Sequence, residues 1–256
     1  MEINNQYYDQ HSDSWWHENS ALSSLQAMNP GRFRYIDQVF SENQRQWENQ
    51  SILDIGCGGG FICEAFARRG AIVSGIDPSE GTIKTAIEHS ANSQLDINYQ
   101  SASGENLPFD DHSFDYVSCF DVLEHVNDLE KVIAEVDRVL KPGGVFLYDT
   151  VNRTWFSWLL MIKIMQDWPT RVLEKNTHVW HMFIKPKELR VLLDKTNLTP
   201  MHETGFSPSS SPIKFLQSMI ARYKGKPPAE WVALLELGPS PIKAAMYIGW
   251  ALKTKV

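Results

Sequence analysis

Ile52-Leu53-Asp54-Ile55-Gly56-Cys57-Gly58-Gly59-Gly60 is a short apolar run with an acid near its end, then a glycine-dense turn; Phe61 to Arg69 behind it reads as a helix. A buried strand feeding such a turn brings bare backbone close to a ligand, because glycine has no Cβ to obstruct the approach. A second strand follows, Ile72-Val73-Ser74-Gly75-Ile76-Asp77, and it ends in an acid. An acid about twenty residues beyond the glycines is where a nucleotide-binding α/β unit holds a ribose. The two strands together predict a site for a nucleoside-bearing cofactor.

A dinucleotide fingerprint wants G-x-G-x-x-G, so that a helix N-terminus faces a pyrophosphate. Here Phe61 stands at the third glycine position, and no Lys-Ser/Thr pair follows to make a phosphate-cradling loop. Asp54 to Gly60 reads Asp-x-Gly-x-Gly-x-Gly instead and resembles the glycine-rich loop of the class I S-adenosylmethionine methyltransferases. That resemblance implies an α/β, Rossmann-like fold: a mostly parallel, seven-stranded sheet with helices on both faces. It also implies S-adenosylmethionine as cofactor. With no phosphate to bind, Gly56 and Gly58 would serve close approach to the methionine moiety.

A chain of 256 residues suits one large domain, or one domain with an elaborated cap, and 43% apolar residues suffice for a sizeable core. A net charge of −7 argues against a nucleic-acid surface. Cys57, Cys63 and Cys119 show no metal-type pairing, and the polar start of the chain has no signal-peptide pattern, so a reducing cytoplasm is expected. No apolar run reaches the roughly 20 residues that span a bilayer.

Strands and helices alternate through residues 51–150, the expected cofactor-binding core. Ser79 is placed to cap a helix running toward Ser90, Ile97-Asn98-Tyr99 reads as a strand, and Phe114 to Cys119 as a fourth. Leu129 to Leu140 is an amphipathic helix with Val132, Val136, Val139 and Leu140 on one face, ended by Lys141-Pro142-Gly143-Gly144. Val145 to Tyr148 is the fifth strand. Residues 1–50 form a helical, aromatic cap containing an Asn29-Pro30-Gly31-Arg32 turn. Residues 153–190 are an insertion, and 191–256 supply the remaining strands, Met246 to Leu252 the last. Alternation of this kind places ligands at the carboxyl ends of parallel strands.

Just past the fourth strand comes Asp121-Val122-Leu123-Glu124-His125-Val126. In a helical turn Asp121, Glu124 and His125 are i, i+3 and i+4 and share a face. Two carboxylates and an imidazole make an incomplete site for a hard divalent ion such as Mg²⁺, with room for substrate oxygens. Capping or packing without a metal is the alternative.

A sharper resemblance is to the ubiquinone-biosynthesis O-methyltransferases, and it covers nearly the whole chain. It is carried, in order, by Trp15-Trp16, Asn29 to Ile36, Asp54 to Gly60, Asp121 to Val126, Thr150 to Arg153, Thr177-His178 and Phe183 to Pro186. It implies methylation of a phenol or catechol hydroxyl on a polyprenylated quinone precursor. Arg32 would reach the cofactor carboxylate, and Asp54, Gly56, Gly58, Asp77 and Phe120 would line the cofactor. Ser103, Gly104 and Glu105 would meet the adenine, although these enzymes usually carry an acid where this chain has Ser103. They usually carry Glu where this chain has Asp121, whose reach is one methylene shorter. His178 is a candidate fourth metal ligand beside Asp121, Glu124 and His125. Catalysis then has two readings: a metal held by these residues activates the hydroxyl, or His125 acts as general base.

Trp155 to Met165 is apolar almost all round. Too short to span a bilayer, it suits either a buried lid or a segment lying in the membrane interface, with Lys163 and Arg153 toward anionic lipid. Methylation of another small molecule, through oxygen or nitrogen, and a non-catalytic cofactor-binding protein are the competing functions. The Asp121, Glu124 and His125 set speaks against the latter.

Overall fold

The computed structural model describes residue 4 and residues 6–167 and 173–254. Its strands are β1 (Ser51–Ile55), β2 (Ile72–Asp77), β3 (Ile97–Ser101), β4 (Phe114–Cys119), β5 (Leu140–Val151), β6 (Leu198–Pro208), β7 (Leu237–Ser240) and β8 (Met246–Lys253). They form one sheet in the order β3-β2-β1-β4-β5-β8-β6-β7. The pairings from β3 across to β5 are parallel, and those joining β5, β8, β6 and β7 are antiparallel. The expected class of fold is therefore present, with eight strands rather than seven. The extra one, β7, is four residues long and contains Gly238 and Pro239. Such a composition reads as a turn, and a sheet accepts it only at an edge, where β7 lies.

The helices are α1 (Gln6–Gln10), α2 (Ser23–Glu42), α3 (Phe61–Ala67), α4 (Glu80–Asn92), α5 (Leu129–Val139), α6 (Trp155–Ser157), α7 (Pro186–Asp194), α8 (Pro212–Tyr223) and α9 (Pro228–Leu235). α6 runs on as a π-helical stretch, Trp158–Asp167. Alternate strand residues feed two cores. Ile52, Val73, Val145 and Leu147 pack with α2, α3 and α9, whereas Leu53, Ile76, Val117 and Phe146 pack with α5 and α7. The β1 strand is buried on both faces, which is why it reads as a continuous apolar run. Ser79 caps α4 as expected, its side chain accepting from the Thr82 amide. Among the described residues no helix is long and apolar enough to cross a membrane.

Two local expectations are corrected. Asn29 to Arg32 is not a turn but lies inside the twenty-residue α2. Pro30 costs that helix a backbone donor, yet Gly31 beside it lets α2 press onto the sheet edge. A Cβ on Gly31 would sit 1.8 Å from the Leu237 carbonyl oxygen. Arg34 Nη2 donates to the same oxygen at 2.8 Å. Lys141 to Gly144 does not lie outside the sheet but forms a bulged entry to β5, where pairing jumps from Phe114↔Leu140 to Tyr116↔Val145. Between β6 and β7 the chain folds into α8 and α9, each starting on a proline at the first helical position.

Two outcomes are expected. Gly31→Ala sets a methyl against backbone that cannot move aside; it should cost about 3 kcal/mol, read as a lower urea midpoint with unchanged slope. Asp54 is buried in β1, accepting from Ser118 Oγ at 2.6 Å, and burial raises its pKa from 3.8 to about 7. Because the folded value exceeds the unfolded one, the stabilisation is complete below the unfolded pKa and is lost as pH rises to about 7. The loss is on the order of 4 kcal/mol. Asp54→Asn keeps a partner for Ser118 and should flatten this slope in urea titrations across that range.

Candidate functional site

The carboxyl ends of β1, β2, β4 and β5 open into a cavity of about 1300 Å³. The turn after β1 holds Gly56, Gly58 and Gly60 at φ +68°, +52° and +90°, a region where other residues are strained. The glycines also admit the N-terminal cap. A Cβ on Gly58 would lie 2.4 Å from the Trp15 ring, and Trp16 Nε1 donates to the Gly59 carbonyl at 2.8 Å. Trp16 stacks on His89 at 3.4 Å.

Asp77 closes the other side of the turn. Its carboxylate accepts from the Gly58 amide at 3.1 Å and from the Ser79 amide at 3.0 Å. Burial outweighs these bonds and pushes its pKa up to about 6. Further along the wall, the Glu105 amide donates to Ser103 Oγ at 3.2 Å, and the Ser103 hydroxyl donates to the Glu105 carboxylate. Partial burial opposes ionisation of Glu105, but Ser103 and the amides of Glu105, Asn127 and Asp128 hold its carboxyl below the usual range. Gly104 and Phe120 line the same cavity.

Arg32 is 2% exposed and enters from α2. Its guanidinium donates to Asp149 at 2.7 Å, to Asn29 Oδ1 at 3.1 Å and to the Asp121 carboxylate, and lies 5.4 Å from the Phe120 ring centre. The Asp121 amide in turn donates to Asp149 Oδ1 at 2.8 Å. Two carboxylates thus share one buried guanidinium.

The motif after β4 is not the helical turn expected. Asp121 has φ +55°, and only Leu123–His125 is helical, as a 3-10 turn. The kink sends Asp121 to Arg32 and leaves Glu124 and His125 facing the insertion. There His178 joins them, with ring centres of the two histidines 5.1 Å apart. One ligand atom from each of Glu124, His125 and His178 lies within 4.8 Å of the others, and Asp121 is not in that group. Glu124 is raised by burial and by Asp121; its Oε2 accepts from Thr150 Oγ1 at 2.6 Å. Burial lowers both imidazoles, His178 to about 4, and His178 adds to the effect on His125. Both rings are therefore neutral at pH 7. Glu124 Oε1 and His178 Nδ1 are buried and meet no hydrogen-bond partner among the described residues.

Beyond this polar cluster the cavity is apolar, walled by Leu160, Met161 and Met165 of the insertion and by Phe215, Met219 and Trp231 of α8 and α9. The cap and the insertion meet over it: the Asn4 amide donates to the Asn176 carbonyl at 2.8 Å, and His11 lies 3.8 Å from Glu174. Sequence reasoning overlooked Asp149, Asn29 and the α8–α9 wall. For Asp149 a signal existed, an acid near the carboxyl end of a parallel strand; for the others none is visible without the packing.

Residues 53–148 match the family described as a methyltransferase domain. The ubiquinone biosynthesis O-methyltransferase of Bartonella quintana (strain Toulouse) is 38% identical over 200 residues, spanning 75% of this chain and 81% of that protein. Its namesake from Pasteurella multocida (strain Pm70) is 34% identical over 209 residues, or 78% and 84% of the two chains. The fold also matches solved structures. The PH0226 protein of Pyrococcus horikoshii OT3 has a TM-score of 0.62 at 18% identity, covering 97% of this chain and 99% of that one. Magnesium protoporphyrin IX methyltransferase of Synechocystis PCC 6803, with bound S-adenosylhomocysteine, has a TM-score of 0.58 at 16% identity, covering 89% and 85%. Fold, glycine turn and sequence likeness agree that this chain belongs to the ubiquinone-biosynthesis O-methyltransferase family and is an S-adenosylmethionine-dependent methyltransferase.

Proposed function

We propose that the chain methylates a phenol or catechol hydroxyl on a prenylated quinone precursor, with help from a divalent cation. The observation that carries this reading is the two-part cavity. A cluster of one carboxylate and two neutral imidazoles sits at the cofactor end, and an apolar chamber continues from it. A head with adjacent oxygens and an apolar tail matches both parts. The names of the relatives point the same way.

In this reading Asp77 exchanges its bonds to Gly58 and Ser79 for the ribose hydroxyls, and Ser103, Gly104 and Glu105 face the adenine. Gly56, Gly58, Asp54 and Phe120 surround the rest of the cofactor. Arg32 takes the cofactor carboxylate by giving up Asp121, since its guanidinium already carries two acids. The methyl group arrives activated as a sulfonium, so the protein has to position and deprotonate an oxygen. The hydroxyl gives up its proton to solvent, the oxygen attacks the methyl carbon as the carbon–sulfur bond breaks, and the electron pair stays on sulfur. Glu124, His125 and His178 would hold the divalent cation, with Asp121 nearby once released from Arg32. The unpartnered Glu124 and His178 atoms fit that role. Bound there, the ion would lower the pKa of the hydroxyl.

The reading includes peripheral contact with membrane lipid, the source of a prenylated acceptor. Trp155 and Phe156 are 69% and 48% exposed, and on α8 Ile213 and Leu216 are 71% and 60% exposed. Lys163 on the insertion and Lys214 and Arg222 on α8 are suited to anionic headgroups, the first two by exchanging their pairs with Asp167 and Glu236.

Labelled S-adenosylmethionine and a short-chain prenyl catechol should give methyl transfer with Mg²⁺ present, and chelator should abolish it. Turnover that survives chelation would leave His125 as general base instead. Glu124→Ala should lower kcat at least about 100-fold while sparing cofactor affinity. Asp77→Ala should raise the cofactor Kd roughly 10–100-fold, since two charge-assisted bonds to the ribose are lost; calorimetry showing unchanged affinity would overturn the cofactor arrangement.

A further inference from the structure

Tyr8, on α1, has no place in the chemistry described so far, yet it stands at its centre. It lines the cavity together with Asp77 and His125. Its ring lies edge-on to His125 at 5.7 Å and stacks on Trp15 at 6.2 Å. The His125 ring is therefore flanked by Tyr8 from the cap and by His178 from the insertion. Tyr8 is anchored there. Its carbonyl accepts from Thr82 Oγ1 at 3.3 Å, and the Trp15 indole donates to the same hydroxyl at 3.3 Å. Next to it Asp9 accepts from Ser79 Oγ at 2.8 Å, pinning α1 to the start of α4.

A tyrosine hydroxyl, with an ordinary pKa of about 10, is a hydrogen-bond donor at neutral pH. A protonated phenol beside His125, in a chamber shared with the cofactor turn, is equipped to meet an electron-rich oxygen.

We propose that Tyr8 is an acceptor-positioning residue: its hydroxyl donates a hydrogen bond to an oxygen of the bound phenol or catechol and holds it between His125 and the sulfonium methyl group. This rests on the acceptor class inferred above. The Tyr8 hydroxyl gains and loses no proton in the reaction. Its contribution is orientation, and the cap that carries it thereby completes the acceptor site as well as covering the cofactor.

The test uses the full chain saturated with S-adenosylhomocysteine and follows 4-nitrocatechol binding by absorbance. Affinity for S-adenosylhomocysteine is read separately from tryptophan quenching. Tyr8→Phe removes the hydroxyl and keeps the ring on Trp15. It should weaken catechol binding about tenfold or more, leave S-adenosylhomocysteine affinity within about twofold, and raise KM for a prenyl catechol in step. Tyr8→Leu, which also loses the ring, should lower the melting temperature where Tyr8→Phe does not. Unchanged catechol affinity in Tyr8→Phe overturns the proposal, and so does a loss confined to S-adenosylhomocysteine, which would assign the hydroxyl to the cofactor. A Tyr8→Phe protein that melts early and loses both ligands overturns it in favour of a folding role. Absence of nitrocatechol binding to the unaltered protein would overturn the acceptor class and this inference together; binding that Tyr8→Phe leaves intact overturns only the latter.

Discussion

A buried guanidinium must be paired, and Arg32 is where this protein meets that demand. Nearly inaccessible, it binds Asp149 at the end of β5, Asp121 after β4 and Asn29 on its own helix. Removing one partner of such a cluster leaves a charge without compensation, typically at a cost of about 3–5 kcal/mol. The helix cannot settle without both strand ends, and the strand ends cannot bring two acids together without the helix. The kinked backbone at Asp121 follows: its left-handed φ turns the carboxylate toward Arg32 and its amide toward Asp149. That same kink leaves His125 lining the chamber and Glu124 buried behind it, grouped with His178.

Low dielectric then shapes every ionisable group nearby. Acids inside the cavity, Asp54, Asp77 and Glu124, are driven upward by burial, and the imidazoles of His125 and His178 downward. Glu105 goes the other way because three amides and a hydroxyl surround it on a half-open wall. The neutral imidazole is the form in which a histidine can ligate or accept a proton, and the same burial favours the protonated form of Glu124.

The sheet was legible because its central parallel strands, β1 and β4, are buried on both faces and read as apolar runs. β1, β2, β4 and β8 are apparent from residue types alone, and so is the Ser79 cap. The eighth strand was not, because Gly238 and Pro239 speak locally for a turn and only edge position permits pairing. Asn29-Pro30-Gly31-Arg32 misled for a related reason: turn chemistry in the sequence was overruled by the packing of Gly31 on Leu237. At the site, residues within one motif were easy to group, but their directions were not. Spacing placed Asp121 with Glu124 and His125, whereas a single positive φ separates it from them. The α8–α9 wall and Tyr8 depend on which distant segments meet, and periodicity carries no information on that.

The reach of Arg32 also constrains the order in which the molecule can take shape. Its partner Asp149 lies 117 residues further along the chain, and Leu237, against which Gly31 packs, is further still. Contacts of such separation form late, because the intervening loop must first be closed. During synthesis from the N-terminus, α2 emerges well before the strands that neutralise its arginine. Its apolar face can meet Trp47 and Phe66 early, but its arginine waits for Asp149 until β5 is made, and Gly31 waits for Leu237 until β7 is out. A chain interrupted before β7 is left with this twenty-residue helix uncovered on one side.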